Sequence, residues 1–285
     1  MARLKHTVIL APVVSQRELS RVIAVPHDVW ESLHAEGHQL FADDGRLVRG
    51  IALLAGEHAR PGARYDRDEA TAQPLADGVV APRVTLLAWD PGVETALRVD
   101  GQRLGPGPSP RLAAEFRLRD VSHPERATLR IDGSMSRPGR QRRRWLRWFT
   151  LKAELDVPRW YASAAGENGP PPLRVQVTHS LVRAEARAVP RPAAGGGWAV
   201  DLLITARGRG LLRPVVAVPL QVAKRILRRS LDRALPRAAE IWRTEIQPEL
   251  TRDPARLRRQ LLDELCMTPE ERAADGDPAA GETSG

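Results

Sequence analysis

Short runs in which apolar and polar residues alternate occupy most of the chain up to residue 207. The alternation is clearest in Ala113–Arg119, where Ala114, Phe116 and Leu118 are separated by charged residues. This period of two is typical of an antiparallel strand with one packed face and one solvated face. Turn-forming residues such as Asp, Gly and Pro separate the runs. The pattern predicts a series of antiparallel strands, and it leaves open whether they form one sheet or two.

Ten strands are predicted, and the segments between them contain turn and loop signals. The predicted strands are Thr7–Val14, Ser20–Val25, Arg46–Ala55, Val79–Trp89, Val93–Val99, Leu112–Val121, Ala127–Ile131, Trp148–Val157, Leu173–Val189 and Trp198–Arg207. Pro26 ends the second run, and His27 and Asp28 are expected to open a short helix that continues to Leu33. Residues 57–78 are rich in charge, Ala, Gly and Pro without a sustained period, which favours a surface insertion.

A long amphipathic helix is predicted over 220–246, directly after the last strand. Apolar residues recur there at steps of three and four, whereas most of the basic residues fall off that stripe. The stripe consists of Leu220, Ala223, Leu227, Leu231, Ala234, Ala238, Ile241 and Trp242. Pro236 lies inside this pattern, so we expect a bend near Asp232. A helix of this length needs a broad surface against which to pack.

The C-terminal end of the chain differs from the rest in composition. Asp253 and Pro254 are suited to be the cap and the first residue of a short helix that continues to Leu265. A polar tail without periodicity follows. We therefore predict one domain over residues 1–250, including the surface insertion, and a C-terminal helix with a disordered tail over 251–285.

Composition sets limits on partners and on location. The chain has 44 Lys and Arg against 35 Asp and Glu, a formal charge of +9, which favours acidic partners such as anionic lipid or nucleic acid. One cysteine excludes an internal disulfide and a cysteine-based zinc site. No stretch reaches the roughly 20 apolar residues of a membrane span, and the first residues contain no cleavage pattern. We expect a cytoplasmic protein that can associate with the membrane surface.

An arginine-rich segment over 137–147 runs directly into aromatic residues. Arginine supplies charge and tryptophan inserts at an interface or stacks on bases, so this segment is a candidate for docking on an anionic membrane or on nucleic acid. The candidate residues are Arg140, Arg142, Arg143, Arg144, Trp145 and Arg147. The alternative is a solvated hairpin loop whose tryptophans face the core of the next strand.

Catalytic and metal-binding motifs are weak in this chain. His34 and His38 have the spacing of two ligands on one helix face, but Gly37 lies between them and is expected to end a helix. Glu115, Asp132 and Glu154 are isolated acids on predicted strands, where carboxylates are usually solvated. Nucleotide-binding loops and nucleophile motifs are lacking as well. We therefore predict neither a metal nor a cofactor, and we favour binding over catalysis.

Two segments resemble one known superfamily. Val22–Leu33 (VIAVPHDVWESL) and Leu202–Arg229 (LLITARGRGLLRPVVAVPLQVAKRILRR) resemble the START-like helix-grip superfamily, also called SRPBCC, which includes polyketide cyclases and lipid-transfer domains. The resemblance covers about a fifth of the chain, and it contains no catalytic signature. It implies an α+β fold in which a curved antiparallel sheet grips the long C-terminal helix. It also implies a cavity between sheet and helix for an apolar small molecule.

The length of the chain and its number of strands exceed those of a single helix-grip domain. Insertions would explain the excess, and another long antiparallel barrel or sandwich is the alternative fold. Helix–sheet clefts commonly hold ligands, so the helix residues that would line such a cavity are Leu220, Ala223, Leu227, Leu231 and Ala234. Small side chains at two of these positions would leave room for a ligand.

Three functional hypotheses follow. The first is binding or carriage of a hydrophobic small molecule, a lipid or a polyketide-like compound, between the sheet and the long helix. The second is an interaction protein whose basic surface docks on anionic membrane or nucleic acid. The third is a polyketide cyclase, which requires polar groups inside the cavity that the sequence does not reveal.

Overall fold

Structure is described for residues 2–68, 70–72, 80–103, 110–135, 148–180, 182–208, 228–229, 231–268 and 271, on the basis of a computed structural model. The thirteen strands formed by these residues belong to one antiparallel sheet. They are β1 Ala2–Leu10, β2 His34–Glu36, β3 Gln39–Phe41, β4 Leu47–Ala55, β5 Arg64–Arg67, β6 Val80–Asp90, β7 Glu94–Arg103, β8 Pro110–Arg119, β9 Arg126–Met135, β10 Trp148–Asp156, β11 Leu173–His179, β12 Val182–Ala193 and β13 Gly197–Gly208.

The order of the strands in the sheet is simple. Starting from the second strand, each strand pairs with the one that follows it in the chain as far as β13, and β1 then pairs with β13. The sheet is curved and open, with β1 and β2 at its two edges. This order confirms the predicted α+β class with a large antiparallel sheet. Among the described strands there is one sheet and not two, so a sandwich is excluded for them.

Most of the predicted strands are confirmed, and the structure adds several short ones. The predicted run Leu173–Val189 is a hairpin of β11 and β12. Within the segment predicted as a surface insertion, β5 pairs with β4 and β6 in the sheet. Because β5 has only four residues, it is too short to show a period in the sequence. The hairpin of β2 and β3 escaped prediction for the same reason.

The predicted strand Ser20–Val25 is wrong, because these residues lie inside α1, Gln16–Glu31. Ser15 caps this helix: its hydroxyl accepts from the backbone N–H of Glu18, and the Glu18 carboxylate accepts from the Ser15 backbone N–H. The Ser15 hydroxyl also donates to the Glu18 carboxylate at 2.7 Å. This side-chain bond, followed by the bond from the Ser15 backbone N–H, lowers the pKa of the Glu18 carboxyl. The capping box starts the helix eleven residues earlier than the predicted opening at His27.

Three further helices follow among the described residues. The second, α2, covers Val157–Ala164 directly after β10 and was not predicted. The third, α3, covers 231–250 and contains a π-helical turn at Trp242–Ile246. The last, α4, covers Pro254–Leu265, and its N-cap Asp253 accepts from the backbone N–H of Arg256, as predicted. The predicted region of the long helix before residue 228 lies outside the described residues.

The helices form cores at two separate places on the sheet. The first core joins α1 and α4 to β3, β4, β5 and β6, with Leu40, Val48, Tyr65 and Cys266 almost fully buried. The second core joins α2 and α3 to β1, β12 and β13 around Trp198. None of the described residues of β8, β9 and β10 belongs to a core cluster. Among the described residues, the core clusters therefore lie towards the two sides of the sheet.

Helices that could span a bilayer were not found: within the described part of the chain, none is long and apolar enough.

Candidate functional site

The register of the sheet places apolar residues in rows that run across the strands. Residues opposite each other in antiparallel strands lie on the same face, and neighbours along one strand lie on opposite faces. One row crosses nine strands and consists of Leu86, Leu97, Phe116, Leu129, Ala153, Val175, Ala186, Ile204 and Leu4. The adjacent row crosses eight and consists of Val84, Val99, Ala114, Ile131, Leu151, Val177, Ala184 and Ala206. We call these two rows the apolar trough.

The side chains of the apolar trough are neither buried nor fully exposed. Leu86 and Leu4, at the two ends of the first row, are buried, and all the others in both rows are half-buried. On the same face, the Phe149 ring lies over Gly133 of the neighbouring strand, where a Cβ atom would collide with it. Phe149 is still 39% exposed. These residues form a half-buried apolar surface on one face of the sheet, and such a surface is a candidate for contact with apolar groups.

The opposite face of the same strands is polar. The row between the two apolar rows contains only polar side chains: Thr85, Arg98, Glu115, Arg130, Lys152, Gln176, Glu185, Thr205 and Arg3. Many of these charges are neutralised within the face. Arg130 pairs with Asp132 at 2.7 Å, Arg187 with Glu185 at 2.7 Å, and Arg98 with Asp100 at 2.9 Å. The polar face therefore presents alternating charges and not one basic field.

The first helix borders the trough at one end of the strands. Near its C-terminal end, the buried His27 ring stacks on Trp89 of β6, with ring centroids 4.2 Å apart and planes 11° apart. The indole N–H of Trp89 donates to the Glu31 carboxylate at 3.2 Å. Thus α1 is attached to β6 at the margin of the apolar face.

The second border is formed by aromatic side chains of α2 and α3. Trp198 of β13 is buried and packs edge-on against Trp160 and Tyr161 of α2, and at a tilt against Trp242 of α3. The indole N–H of Trp242 donates to the carbonyl of Pro12 at 3.0 Å. Burial, helped by the nearby Glu18 charge, raises the pKa of Tyr161 to about 12, so its hydroxyl stays protonated. This aromatic cluster fixes both helices beside the trough.

The helix residues predicted to line a cavity are only partly described. Leu220, Ala223 and Leu227 lie outside the described residues. Of the other two, Leu231 is half-buried and Ala234 is exposed. The half-buried side of α3 continues through Leu235, Ala239, Ile241 and Trp242. Lining of a ligand site by the C-terminal helix stays a prediction.

The arginine-rich docking residues are not described either. Arg140, Arg142, Arg143, Arg144, Trp145 and Arg147 all fall within the undescribed range 136–147. The docking hypothesis for this segment stays a prediction.

A polar cleft of about 460 Å³ lies at the end of α1 and contains two imidazoles, two carboxylates and a guanidinium, from His34, His58, Glu31, Glu57 and Arg60. The His58 ring is held on both sides. Its Nε2–H donates to the Trp30 carbonyl at 2.9 Å, which leaves Nδ1 to accept from the Tyr65 hydroxyl at 3.1 Å. Burial lowers the pKa of His58.

Because both ring nitrogens of His58 are engaged, this histidine supports the fold and is poorly placed to act as a general base. His34 and His38 do not form a pair, since His34 lies on β2 and the Nδ1 atom of His38 contacts the Leu53 carbonyl at 2.8 Å. Where side chains are described, no group of three His, Cys, Asp or Glu residues is arranged to hold a metal ion.

Comparisons with known proteins give little further information. No family model matches the chain, and no curated protein is similar to it. Two solved structures are similar at 11% sequence identity. Ara h 8.0201 has a TM-score of 0.17, with 84% of this chain and 94% of that one covered. The di-domain ARO/CYC StfQ from the steffimycin biosynthetic pathway has a TM-score of 0.20, with 95% and 99% covered.

These TM-scores are too low to support an argument, so the fold assignment rests on the strand order of the chain itself. Membership of the helix-grip superfamily stays a prediction.

Burial of His27 makes the attachment of α1 sensitive to pH. Burial lowers its pKa, while the charges of Glu31, Asp28 and Asp90 oppose the shift. The unfolded chain then binds a proton more readily than the folded one, so the free energy of unfolding falls as the pH drops below about 6.5. We expect His27→Phe, which keeps an aromatic ring against Trp89, to reduce the loss of melting temperature between about pH 7.5 and about pH 5.

The matched control for this prediction is His123→Phe, since the His123 side chain is 87% exposed. The control should keep the pH dependence of the wild-type protein. Equal pH dependence in all three proteins would show that His27 does not contribute to it. Thermal melts followed by circular dichroism at several pH values make the comparison.

Proposed function

We propose that the protein binds or carries a hydrophobic small molecule, and that the apolar trough is the surface that holds it. The observation that supports this proposal is the composition of the two rows: no polar side chain occurs in either of them. Half-buried aliphatic residues gain about 25 cal/mol for each Å² of apolar surface that a ligand removes from water. A surface of this kind favours apolar ligands of many shapes.

Binding is favoured over catalysis by the same composition. A cyclase must orient polar groups of its substrate, and this requires hydrogen-bonding side chains that face the ligand. The trough rows offer none, and the backbone groups of these strands are used in the sheet ladders. The cyclase hypothesis therefore has no support in the described residues.

Native mass spectrometry tests the proposal directly. The protein is titrated with hexadecanoate under gentle ionisation, and the protein purified from its own host is extracted with organic solvent. We expect a complex with hexadecanoate and an apolar compound in the extract. A protein that shows no bound mass in either measurement does not have the proposed function.

A further inference from the structure

One part of the polar face departs from the alternation of charges. It lies on the four neighbouring strands β11, β12, β13 and β1, where three rows of described residues contain six basic side chains and one carboxylate, a formal charge of +5. All six basic residues are exposed except Arg183, which is half-buried. We call them the basic corner: Arg3, Lys5, Arg174, Arg183, Arg187 and Arg207.

Carboxylates neutralise little of the charge of the basic corner. The one carboxylate in its rows pairs with Arg187 at 2.7 Å. Two further carboxylates border the corner, but both pair with arginines outside it. Glu154 pairs with Arg126 at 3.4 Å, and Asp201 pairs with Arg191 at 3.0 Å. Within the described part of the chain, no ion pair joins the other five basic residues to a carboxylate.

Two pairs of arginines lie directly opposite each other in the basic corner. Arg174 is opposite Arg187 on β11 and β12, and Arg183 is opposite Arg207 on β12 and β13. Like charges in directly opposite positions repel each other and destabilise a sheet. A partner with several negative charges would relieve this repulsion, so the charge of the corner is complementary to a polyanionic surface.

The shape of the basic corner distinguishes between polyanions. Its rows cross four strands about 4.8 Å apart and lie about 7 Å from one another, so it measures about 14 Å in each direction. The helices α2 and α3 pack around Trp198 on the opposite face. A groove of duplex DNA is read by a helix or a ribbon that enters it, whereas the corner is part of a broad sheet face.

Single-stranded nucleic acid is held largely by aromatic side chains that stack on its bases. The three rows of described residues contain no aromatic side chain. Guanidinium groups bind phosphate and carboxylate oxygens through two parallel hydrogen bonds, and lipid headgroups present such oxygens over a wide area. The corner is therefore better suited to a membrane surface than to nucleic acid.

From these observations we infer that the basic corner docks on an anionic membrane, with negatively charged phospholipid headgroups as its partner. This inference is independent of the proposed function, which concerns the other face of the sheet. Each basic residue at an anionic membrane surface strengthens binding by about fivefold. Docking in this orientation turns the apolar trough away from the bilayer.

Vesicle flotation tests the inference with the full chain. The vesicles consist of phosphatidylcholine, alone or with about 30 mol% phosphatidylserine, and the salt concentration is about 0.15 M or about 0.5 M. We expect flotation with the phosphatidylserine vesicles at the lower salt, and at least about tenfold weaker association at the higher salt because salt screens the charges. Lack of flotation with phosphatidylserine vesicles at the lower salt would overturn the inference.

Paired substitutions locate the docking surface. Arg183→Gln combined with Arg207→Gln removes two charges from the corner, and we expect about 25-fold weaker association. The melting temperature should not fall, because the substitutions also remove a repulsion. The matched control is Arg98→Gln combined with Arg117→Gln on β7 and β8, where both arginines pair with carboxylates, at 2.9 and 2.7 Å. These strands lie about 20 Å or more from β12, beyond the Debye length, so association should stay within about twofold.

Three results of this comparison would overturn the inference. Equal loss of flotation in the two paired variants would show that association follows the total charge and not the corner. Flotation of the corner variant like that of the wild-type protein would place the membrane contact elsewhere in the chain. Binding of a labelled DNA duplex of about 20 base pairs is measured at the same salt. If the corner variant loses duplex binding but keeps flotation, the partner of the corner is nucleic acid.

Discussion

Ala153→Lys is expected to lower the affinity for hexadecanoate by at least tenfold, whereas Glu154→Lys leaves it within about twofold of the wild-type value. Ala153 lies in the middle of the first trough row, and Glu154 is the next residue on β10 and faces the other side of the sheet. A tenfold loss corresponds to about 1.4 kcal/mol. A charged amine placed under a hydrocarbon chain must either lose water or displace the chain.

The matched control introduces the same residue one position away. Glu154→Lys removes an ion pair with Arg126 at 3.4 Å, but both side chains are about half exposed, so the loss costs little stability. A third variant, Ala153→Leu, adds bulk without charge and should keep most of the affinity. Equal loss of binding in the Ala153→Lys and Glu154→Lys variants would place the ligand elsewhere. Calorimetry with hexadecanoate and circular dichroism of each variant give the comparison.

Trp198→Ala is expected to destabilise the protein by about 3–5 kcal/mol, the usual cost of removing a buried aromatic side chain. Trp198 is 7% exposed and lies between Trp160, Tyr161 and Trp242, with ring centroids 5.7 to 5.9 Å away. Its removal leaves a cavity at the junction of β13, α2 and α3. Edge-on ring contacts add to the loss, because aromatic pairs contribute beyond their buried area.

Trp148→Ala is the control for this prediction, since Trp148 lies on β10 and is 39% exposed. Its replacement should cost less than about 1 kcal/mol. Urea unfolding followed by circular dichroism measures both variants. If the two substitutions had similar effects on the free energy of unfolding, the aromatic cluster would not be the structural junction described above.

The face of each strand could be predicted from the sequence, but the alignment between strands could not. Alternation in Ala113–Arg119 identifies Ala114, Phe116 and Leu118 as one face of β8, and the structure confirms this. Which residues of neighbouring strands lie beside them depends on turn lengths and on irregularities such as the register shift between Leu86 and Ala88. The two rows of the apolar trough become apparent only when the register between the strands is known.

The first helix shows where local pattern misleads. Val22, Ile23 and Val25 are β-branched and favour a strand by propensity. The capping box of Ser15 and Glu18 was the available signal for a helix, and packing of Val25 and Val29 against Leu257 of α4 supports that helix in the fold. A residue of α4 lies more than two hundred positions away in the chain, so sequence pattern alone does not show this contact.

The sequence predicts a ligand site on the long helix because the helix-grip resemblance implies a cavity there and helix–sheet clefts commonly hold ligands. Apolar positions also recur in the strands, but each strand contains only a few of them. Each contributes only one or two residues to the trough, and no single run of sequence looks like a binding surface. A count of apolar positions over all the strands together was the signal that could have identified it.

The strand order also separates early from late steps in folding. Eleven of the twelve described pairings join strands that are consecutive in the chain, so most of the sheet can grow hairpin by hairpin with short loops to close. The pairing of β1 with β13 is different, since it brings Ala2 beside Ala206. Closing this long-range pairing costs chain entropy, and the contacts that offset this cost form only when nearly the whole sheet exists. The second core around Trp198 includes residues of both strands. We therefore expect the N-terminal strand to dock after the rest of the sheet has formed.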